Sequence, residues 1–244
     1  MKPVRATPEQ RERTGGPTGR LVFVRHGRTA WNSEGRCQGW LDVPLDALGE
    51  AQAECLAKRL SNVDVRRVVA SDLLRTRQTA EAITSTHGLE VSIDVDLREF
   101  NFGDVQGEVL AAIKDTPLGL RWLGWKRGLS DEALPGGEGL AEVAQRIGPR
   151  LRTELERLDG GATVIVGHGS SMRVGMCAAL GLDPIWWRSL VVTNGSVSEL
   201  EVYGGVARLA RLNDTCHLDD LADRSGSDDA GCVRDWVLLP EETG

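Results

Sequence analysis

Two short and nearly unbroken apolar runs, at residues 21–24 and 163–166, dominate the hydrophobic pattern of this chain. A run of this length is typical of a strand that is covered by helices on both faces of a parallel sheet. Apolar and β-branched residues predict further strands at 65–70 and 91–95, and near 189–193, 196–203 and 206–212.

Helical spacing of apolar residues is clearest between Leu140 and Leu158, where it predicts one amphipathic helix. Pro149 lies inside this segment and is expected to bend the helix or split it in two. Asp46 and Asp72 are predicted to cap the helices that follow them. Because strands and helices alternate, we expect an α/β fold: a three-layer sandwich with a mostly parallel central sheet and helices on both faces.

The length of 244 residues suits one domain with a substantial core. We expect a flexible leader at 1–19, one domain at 20–218 and an acidic, mobile tail at 219–244. Residues 213–244 hold nine acidic side chains and two arginines, which together account for the whole net charge of −7. A neutral body with an acidic tail argues against nucleic acid as a partner, because phosphate backbones require a basic face.

The five cysteines are scattered and form no CxxC pair, so they predict neither a zinc site nor a redox motif. Buried free thiols in a reducing cytoplasm are the expected state. No window approaches the ~18 uninterrupted apolar residues of a membrane span, so no membrane partner is expected.

Two predicted strands each end in a histidine beside a glycine, at His26-Gly27 and His168-Gly169. Ligands of open α/β sheets bind outside the carboxyl ends of the strands, so two neighbouring strand ends would bring both imidazoles into one crevice. Gly169 would let the backbone approach a ligand closely. Taken singly, each histidine could equally be a structural residue at a strand end.

Six segments resemble, in the right order, the motifs of the histidine phosphatase superfamily, to which cofactor-dependent phosphoglycerate mutases also belong. They are RHGRTAWN at 25–32, SDLLRTRQTA at 71–80, LREFNFGDVQG at 97–107, PGGE at 135–138, GHG at 167–169 and NDTCHL at 213–218. The resemblance covers residues 20–218 and implies the phosphoglycerate mutase-like fold.

The resemblance implies that His26 is a nucleophile which forms a phosphohistidine. The phosphoryl group spreads negative charge over three oxygens, so cationic donors are needed around it. Arg25, Arg75 and a protonated His168 are expected to supply them, and Asn32 to act as a neutral donor in the same pocket. Taken alone, Arg75 would be an ordinary solvated arginine on a helix.

Glu99 matches the general acid of the family, which protonates the leaving oxygen and then deprotonates the attacking water. The alternative is an ion pair with Arg98 in a loop. Neither a metal nor another cofactor is implied.

Residues 100–137 carry aromatic and basic side chains that could cover the site and bind a ring, or could instead pack their tryptophans inward. Val105 and Gly139 depart from the family pattern, and their substrate contacts near the rim of the site are expected to be unusual.

Three functions are compatible with these motifs. The first is a phosphatase for a small phosphorylated metabolite, such as a sugar phosphate or a phosphoglycerate derivative. The second is a phosphoglycerate mutase, and the third is a non-catalytic phosphate-binding protein. The segment EFNFGD at 99–104 is of the phosphatase type and favours the hydrolase. A homodimer is a compatible assembly.

Overall fold

The computed structural model describes residues 16–130 and 132–222. The predicted leader and tail therefore lie for the most part outside the described residues. In chain order the strands and α-helices are β1 Gly19–Arg25, α1 Ala30–Ser33, α2 Ala47–Leu60, β2 Val65–Ala70, α3 Leu74–Ser85, β3 Val91–Ile93, α4 Leu110–Ile113, α5 Pro117–Lys126, α6 Leu140–Glu156, β4 Ala162–Gly167, α7 Gly169–Leu180, β5 Val197–Tyr203, β6 Val206–Asp214 and α8 Asp219–Ala222. Short 3-10 helices span Val95–Leu97, Gly103–Val105, Pro184–Ser189 and Cys216–Leu218.

The strands form one six-stranded sheet in the order β3-β2-β4-β1-β5-β6. Strands β3, β2, β4 and β1 pair in parallel, whereas β5 and β6 run antiparallel to their neighbours. The prediction of a mostly parallel sheet is confirmed.

Alternate side chains of β1 lie in two different hydrophobic cores, one on each face of the sheet. Leu21 and Phe23 belong to the core that contains residues of α5, α6 and α7. Val22 and Val24 belong to the core that contains residues of α2 and α3. Each fully buried side chain of this kind contributes about 1.5–3 kcal/mol. The two cores confirm the three-layer arrangement and explain why the run at 21–24 is apolar throughout.

Asp46 caps α2 as predicted, because its carboxylate accepts a hydrogen bond from Gly49 N at 2.8 Å. The prediction that Asp72 caps the next helix is wrong. Helix α3 begins one residue later than an Asp72 cap would place it, and the carboxylate of Asp42 accepts the hydrogen bond from Leu74 N at 2.6 Å. Asp72 is instead paired with Arg98.

Helix α6 is continuous through Pro149, so the proline does not split it, and the alternative of a bend stays a prediction. A proline within a helix removes one backbone hydrogen bond. Val143, Ile147 and Leu151 on the same helix are fully or almost fully buried in the core. We infer that this packing outweighs the single lost bond.

The described residues 190–194 do not form the strand expected near 189–193. Their carbonyl groups bond to side chains instead of a neighbouring strand. Val192 O accepts from Arg25 Nη1 at 2.8 Å, and Leu190 O accepts from Arg173 Nη1 at 3.1 Å. This segment is therefore bound to the last residue of β1 and to helix α7.

The four cysteines of the described ranges are free thiols. Cys37 and Cys177 are buried as predicted, but Cys216 is exposed and Cys55 is half-buried, so the expectation of buried thiols is wrong for these two. Cys232 lies outside the described residues.

Within residues 16–130 and 132–222, none of the helices combines the length and the apolar character needed to cross a bilayer.

Candidate active site

Two histidines lie side by side at the carboxyl ends of the adjacent parallel strands β1 and β4. Arg25 and Gly167 are register partners in this pair, and His26 N donates to Gly167 O at 3.0 Å. The ring centroids of His26 and His168 are 5.3 Å apart, with an angle of 61° between the rings. The prediction that the two strand ends are neighbours is therefore correct.

A backbone carbonyl fixes the tautomer of His26. Its Nδ1 lies 2.7 Å from Gly27 O, and because a carbonyl can only accept, Nδ1 carries the proton. The neutral ring then has an unprotonated Nε2 with a free lone pair. This is the state that a nucleophilic imidazole requires.

His168 is fully buried, and neither of its ring nitrogens has a hydrogen-bond partner among the described residues. Leaving a buried polar atom unpaired costs about 1–3 kcal/mol. Such a group is expected where a ligand supplies the missing partner. The ring of His168 is therefore a candidate ligand contact.

The pKa values of both histidines lie well below the ordinary value of 6.5. Burial is the largest cause in each case, followed by the positive charge of Arg75. Both imidazoles are consequently neutral at neutral pH in the unliganded site. A bound anion would favour the charged form of His168, so its protonation beside a phosphoryl group stays a prediction.

Arg75 projects from the first turn of α3 and is 1% exposed. Its Nη1 donates to Leu41 O at 2.9 Å and its Nη2 to Gly39 O at 2.7 Å, while Nε has no partner in the described residues. Burial lowers the pKa of the guanidinium to about 10, so it stays cationic at neutral pH. The alternative of a solvated helix arginine is wrong.

Arg25 lies against the first residue of α7. A Cβ added to Gly169 would be 3.4 Å from both Cζ and Nε of Arg25. This is an ordinary van der Waals distance, so the guanidinium, whose Nη1 is held by Val192 O, does not itself require glycine here. That Gly169 lets the backbone approach a ligand stays a prediction.

The carboxylate of Glu99 lies at the amino end of α7, directly after His168. Its Oε1 accepts from Ser171 N at 2.7 Å and from Phe100 N at 3.0 Å, and its Oε2 accepts from Ser170 N at 2.9 Å. The positive end of the helix dipole favours a carboxylate here. The alternative ion pair with Arg98 is wrong, because both arms of Arg98 bond to Asp72 at 2.8 and 2.5 Å.

Asn32 is held by the capping box of α1. Its Oδ1 accepts from Thr29 N at 3.1 Å, from Thr29 Oγ1 at 3.0 Å and from Asn194 Nδ2 at 3.3 Å. With Oδ1 fully engaged, Nδ2 is the group that can donate to a ligand. The role of a neutral donor stays a prediction.

Asn194 is a buried site residue that the sequence interpretation missed. Its Nδ2 donates to His26 O at 3.1 Å and to Asn32 Oδ1 at 3.3 Å, so it connects the predicted nucleophile to the predicted donor. The Asn194-Gly195 pair lies between the strands predicted near 189–193 and 196–203 and is a turn signal. This signal predicts a turn but not the contacts of Asn194 with His26 and Asn32.

The tryptophans of residues 100–137 pack inward. Phe100, Phe102, Trp122, Trp125 and Trp187 form one cluster with ring centroids 5.1–5.8 Å apart. Of the two alternatives, inward packing of the tryptophans is confirmed. The placement of Val105 at the rim is wrong, because Val105 is fully buried.

No group of three or more His, Cys, Asp or Glu side chains in the described part of the chain could hold a metal ion.

Comparison with known proteins assigns the family. The model of the histidine phosphatase superfamily (branch 1) matches residues 21–215. A probable phosphoglycerate mutase of Salmonella typhi is 34% identical over 186 residues, which cover 74% of this chain and 84% of that protein.

Two solved structures share the fold. A mycobacterial glucosyl-3-phosphoglycerate phosphatase in complex with VO3 is 33% identical, with a TM-score of 0.73 over 80% of this chain and 99% of that one. An alpha-ribazole phosphatase of Shigella flexneri is 27% identical, with a TM-score of 0.72 over 80% and 96% of the two chains. This chain belongs to the histidine phosphatase superfamily.

Proposed function

We propose that this chain is a metal-independent phosphatase, which hydrolyses a small phosphorylated metabolite through a phosphohistidine on His26. The observation that carries the proposal is the tautomer of His26. Its Nδ1–H is bound to Gly27 O, so the lone pair of Nε2 is available beside the unpartnered ring of His168.

In the first step, Nε2 of His26 attacks phosphorus and the bond from phosphorus to the leaving oxygen breaks. Arg25 and Arg75 stabilise the charge on the equatorial oxygens. Glu99, in its acid form, gives its proton to the leaving oxygen. The products of this step are an alcohol and the phosphohistidine.

In the second step, the carboxylate of Glu99 takes a proton from water, and the water oxygen attacks phosphorus. The bond between phosphorus and Nε2 breaks, so inorganic phosphate leaves and His26 regains its lone pair. Splitting the displacement in this way replaces one difficult step by two easier ones.

A small substrate is supported by the burial of the reacting groups. His26, Arg75 and His168 are each at most 3% exposed, so the site suits a phosphoryl group at the end of a slender molecule. The two solved relatives are named for glucosyl-3-phosphoglycerate and alpha-ribazole phosphate, which are both small phosphomonoesters. A cytoplasmic metabolite of this class is our proposed substrate.

A mutase is the second candidate, since a relative at 34% identity is named a probable phosphoglycerate mutase. A mutase returns the phosphoryl group to a second hydroxyl and releases no phosphate. Product analysis therefore separates the two functions.

The test is a panel of sugar phosphates and phosphoglycerate derivatives, including glucosyl-3-phosphoglycerate, alpha-ribazole phosphate and 3-phosphoglycerate. Each is assayed in chelating buffer for released phosphate and for isomerised phosphoglycerate. The His26→Ala variant, prepared identically, corrects for contaminating phosphatases. Release of phosphate supports the proposal, whereas isomerisation without release would favour the mutase. Binding of phosphate without any turnover would mean a non-catalytic protein.

A further inference from the structure

Arg146 reaches from helix α6 to the backbone that carries Glu99. Its Nη1 donates to Asp96 O at 2.7 Å and to Arg98 O at 2.8 Å, and its Nη2 donates to Glu99 O at 2.8 Å. One guanidinium thus bonds to three carbonyls within four consecutive residues.

Glu138 completes this arrangement from the other side. Its two carboxylate oxygens accept from Arg146 Nε at 2.9 Å and Nη2 at 3.0 Å, a forked pair with strong geometric preference. The Glu138 backbone N donates to Asn101 O at 2.8 Å, and its Oε2 accepts from Asn101 N at 2.8 Å. The Arg146–Glu138 pair therefore forms hydrogen bonds to the backbone on both sides of Glu99.

Residues 98–102 have no regular secondary structure, so no helix or strand fixes the position of Glu99. Its side chain is bound to the amino end of α7, and its carbonyl is bound by Arg146 and, at 2.7 Å, by Trp40 Nε1. The carboxylate is therefore held beside His168 by backbone amides of α7, whereas the backbone of Glu99 is fixed by side chains from other elements.

We infer that Arg146, held by Glu138, is a positioning residue that sets Glu99 for proton transfer to the leaving oxygen. The inference rests on the proposed function and on the acid role of Glu99. A displacement of about 1 Å in a reacting group can reduce the rate ~10²-fold. Loss of Arg146 should therefore act on the proton-transfer step, with a smaller effect on attack by His26.

Arg150 offers a matched control one turn further along α6. The side chains of Arg146 and Arg150 are 15% and 17% exposed. Arg150 forms ion pairs with Asp94 and with Glu154, the latter at 2.7 Å. Arg150→Met thus removes a comparable buried arginine whose ion pairs do not involve Glu99.

The experiment measures formation of the phosphoenzyme in single turnovers, with an alkyl phosphate and with para-nitrophenyl phosphate. Arg146→Met should slow the alkyl substrate by ~10- to 10²-fold. Para-nitrophenyl phosphate should change by less than about threefold, because its leaving group needs no proton. Arg150→Met should slow both substrates equally or neither.

A double-mutant cycle makes the test specific. If Arg146 acts through Glu99, then adding Arg146→Met to Glu99→Gln should slow the alkyl substrate no further. Arg146→Lys keeps the charge but loses the fork, so it should show the same substrate selectivity even if the methionine variant folds poorly.

Equal slowing of both substrates by Arg146→Met and Arg146→Lys, or additive losses in the cycle, would overturn the positioning role while the phosphatase proposal stands. Absence of any phosphoenzyme in the wild-type protein would overturn both.

Discussion

The imidazole rings of His26 and His168 meet at 61°, with their centroids 5.3 Å apart and both rings almost fully buried. Burial, and after it the positive charge of Arg75, holds the pKa of each ring well below 6.5. Both rings are therefore neutral in the folded site, and the pH dependence of stability can test this.

We expect acid to destabilise the fold through these histidines. Below pH 6.5 these histidines become protonated in the unfolded chain but stay neutral in the folded one. The free energy of unfolding therefore falls as the pH drops. Above pH 6.5 both states are neutral and the contribution is complete. Between pH 7.5 and 5.5, the His168→Asn variant should lose less of its free energy of unfolding than the wild-type protein does. Urea unfolding of both proteins at the two pH values measures this difference, and equal losses would contradict the low pKa of His168.

His26→Ala is expected to abolish turnover and phosphoenzyme formation while the protein stays folded. Loss of a covalent nucleophile can reduce kcat on the order of 10⁶-fold. Trapping with labelled substrate should mark His26 in the wild-type protein, through a bond that is labile in acid and stable in base. His87→Ala is the control, because His87 lies in the turn after α3 and should leave the rate unchanged. A His26→Ala rate within tenfold of wild type would refute the phosphohistidine mechanism.

Glu99→Gln should slow an alkyl phosphate far more than para-nitrophenyl phosphate. General acid catalysis is worth ~10² to 10⁴-fold for a leaving group that needs a proton, and little for nitrophenolate. Phosphoenzyme formation is the step to compare, since Glu99 is also proposed to activate water in the second step. Asp104→Asn, at an exposed carboxylate nearby, is the control. If both substrates slowed equally, Glu99 would lose the acid role.

Full activity is expected in chelating buffer without divalent ions. The proposed mechanism assigns charge stabilisation to Arg25 and Arg75, so no step requires a metal. Phosphate release before and after dialysis against chelator measures this. Activity that disappears with chelator and returns with added Mg²⁺ or Zn²⁺ would mean that a metal organises the site.

The central strands and the two histidines could be predicted from the sequence because their signals are local. Apolar runs at 21–24 and 163–166 reflect two covered faces, and a histidine stands two residues after the end of each run. Asp46 caps α2 from the adjacent position, so its sequence signal was also sufficient.

The failures involve partners that are distant in sequence. The amino end of α3 is capped by Asp42, which lies far from it in the sequence. Asp72 was predicted as the cap only because it stands next to the helix in the sequence. Arg146 and Asn194 look ordinary in the sequence, and their importance comes from the carbonyls that the fold brings within reach. Packing of α6 similarly overrode the local effect of Pro149.

The pairing of β1 with β4 joins residues 19–25 to residues 162–167, which are far apart in the chain. A contact between residues so far apart in the sequence forms slowly. The entropy of the intervening chain is lost before the contact stabilises the fold. No fragment that ends before β4 can contain both histidines. During refolding, recovery of enzymatic turnover should therefore lag behind helix formation and report the moment at which the centre of the sheet closes.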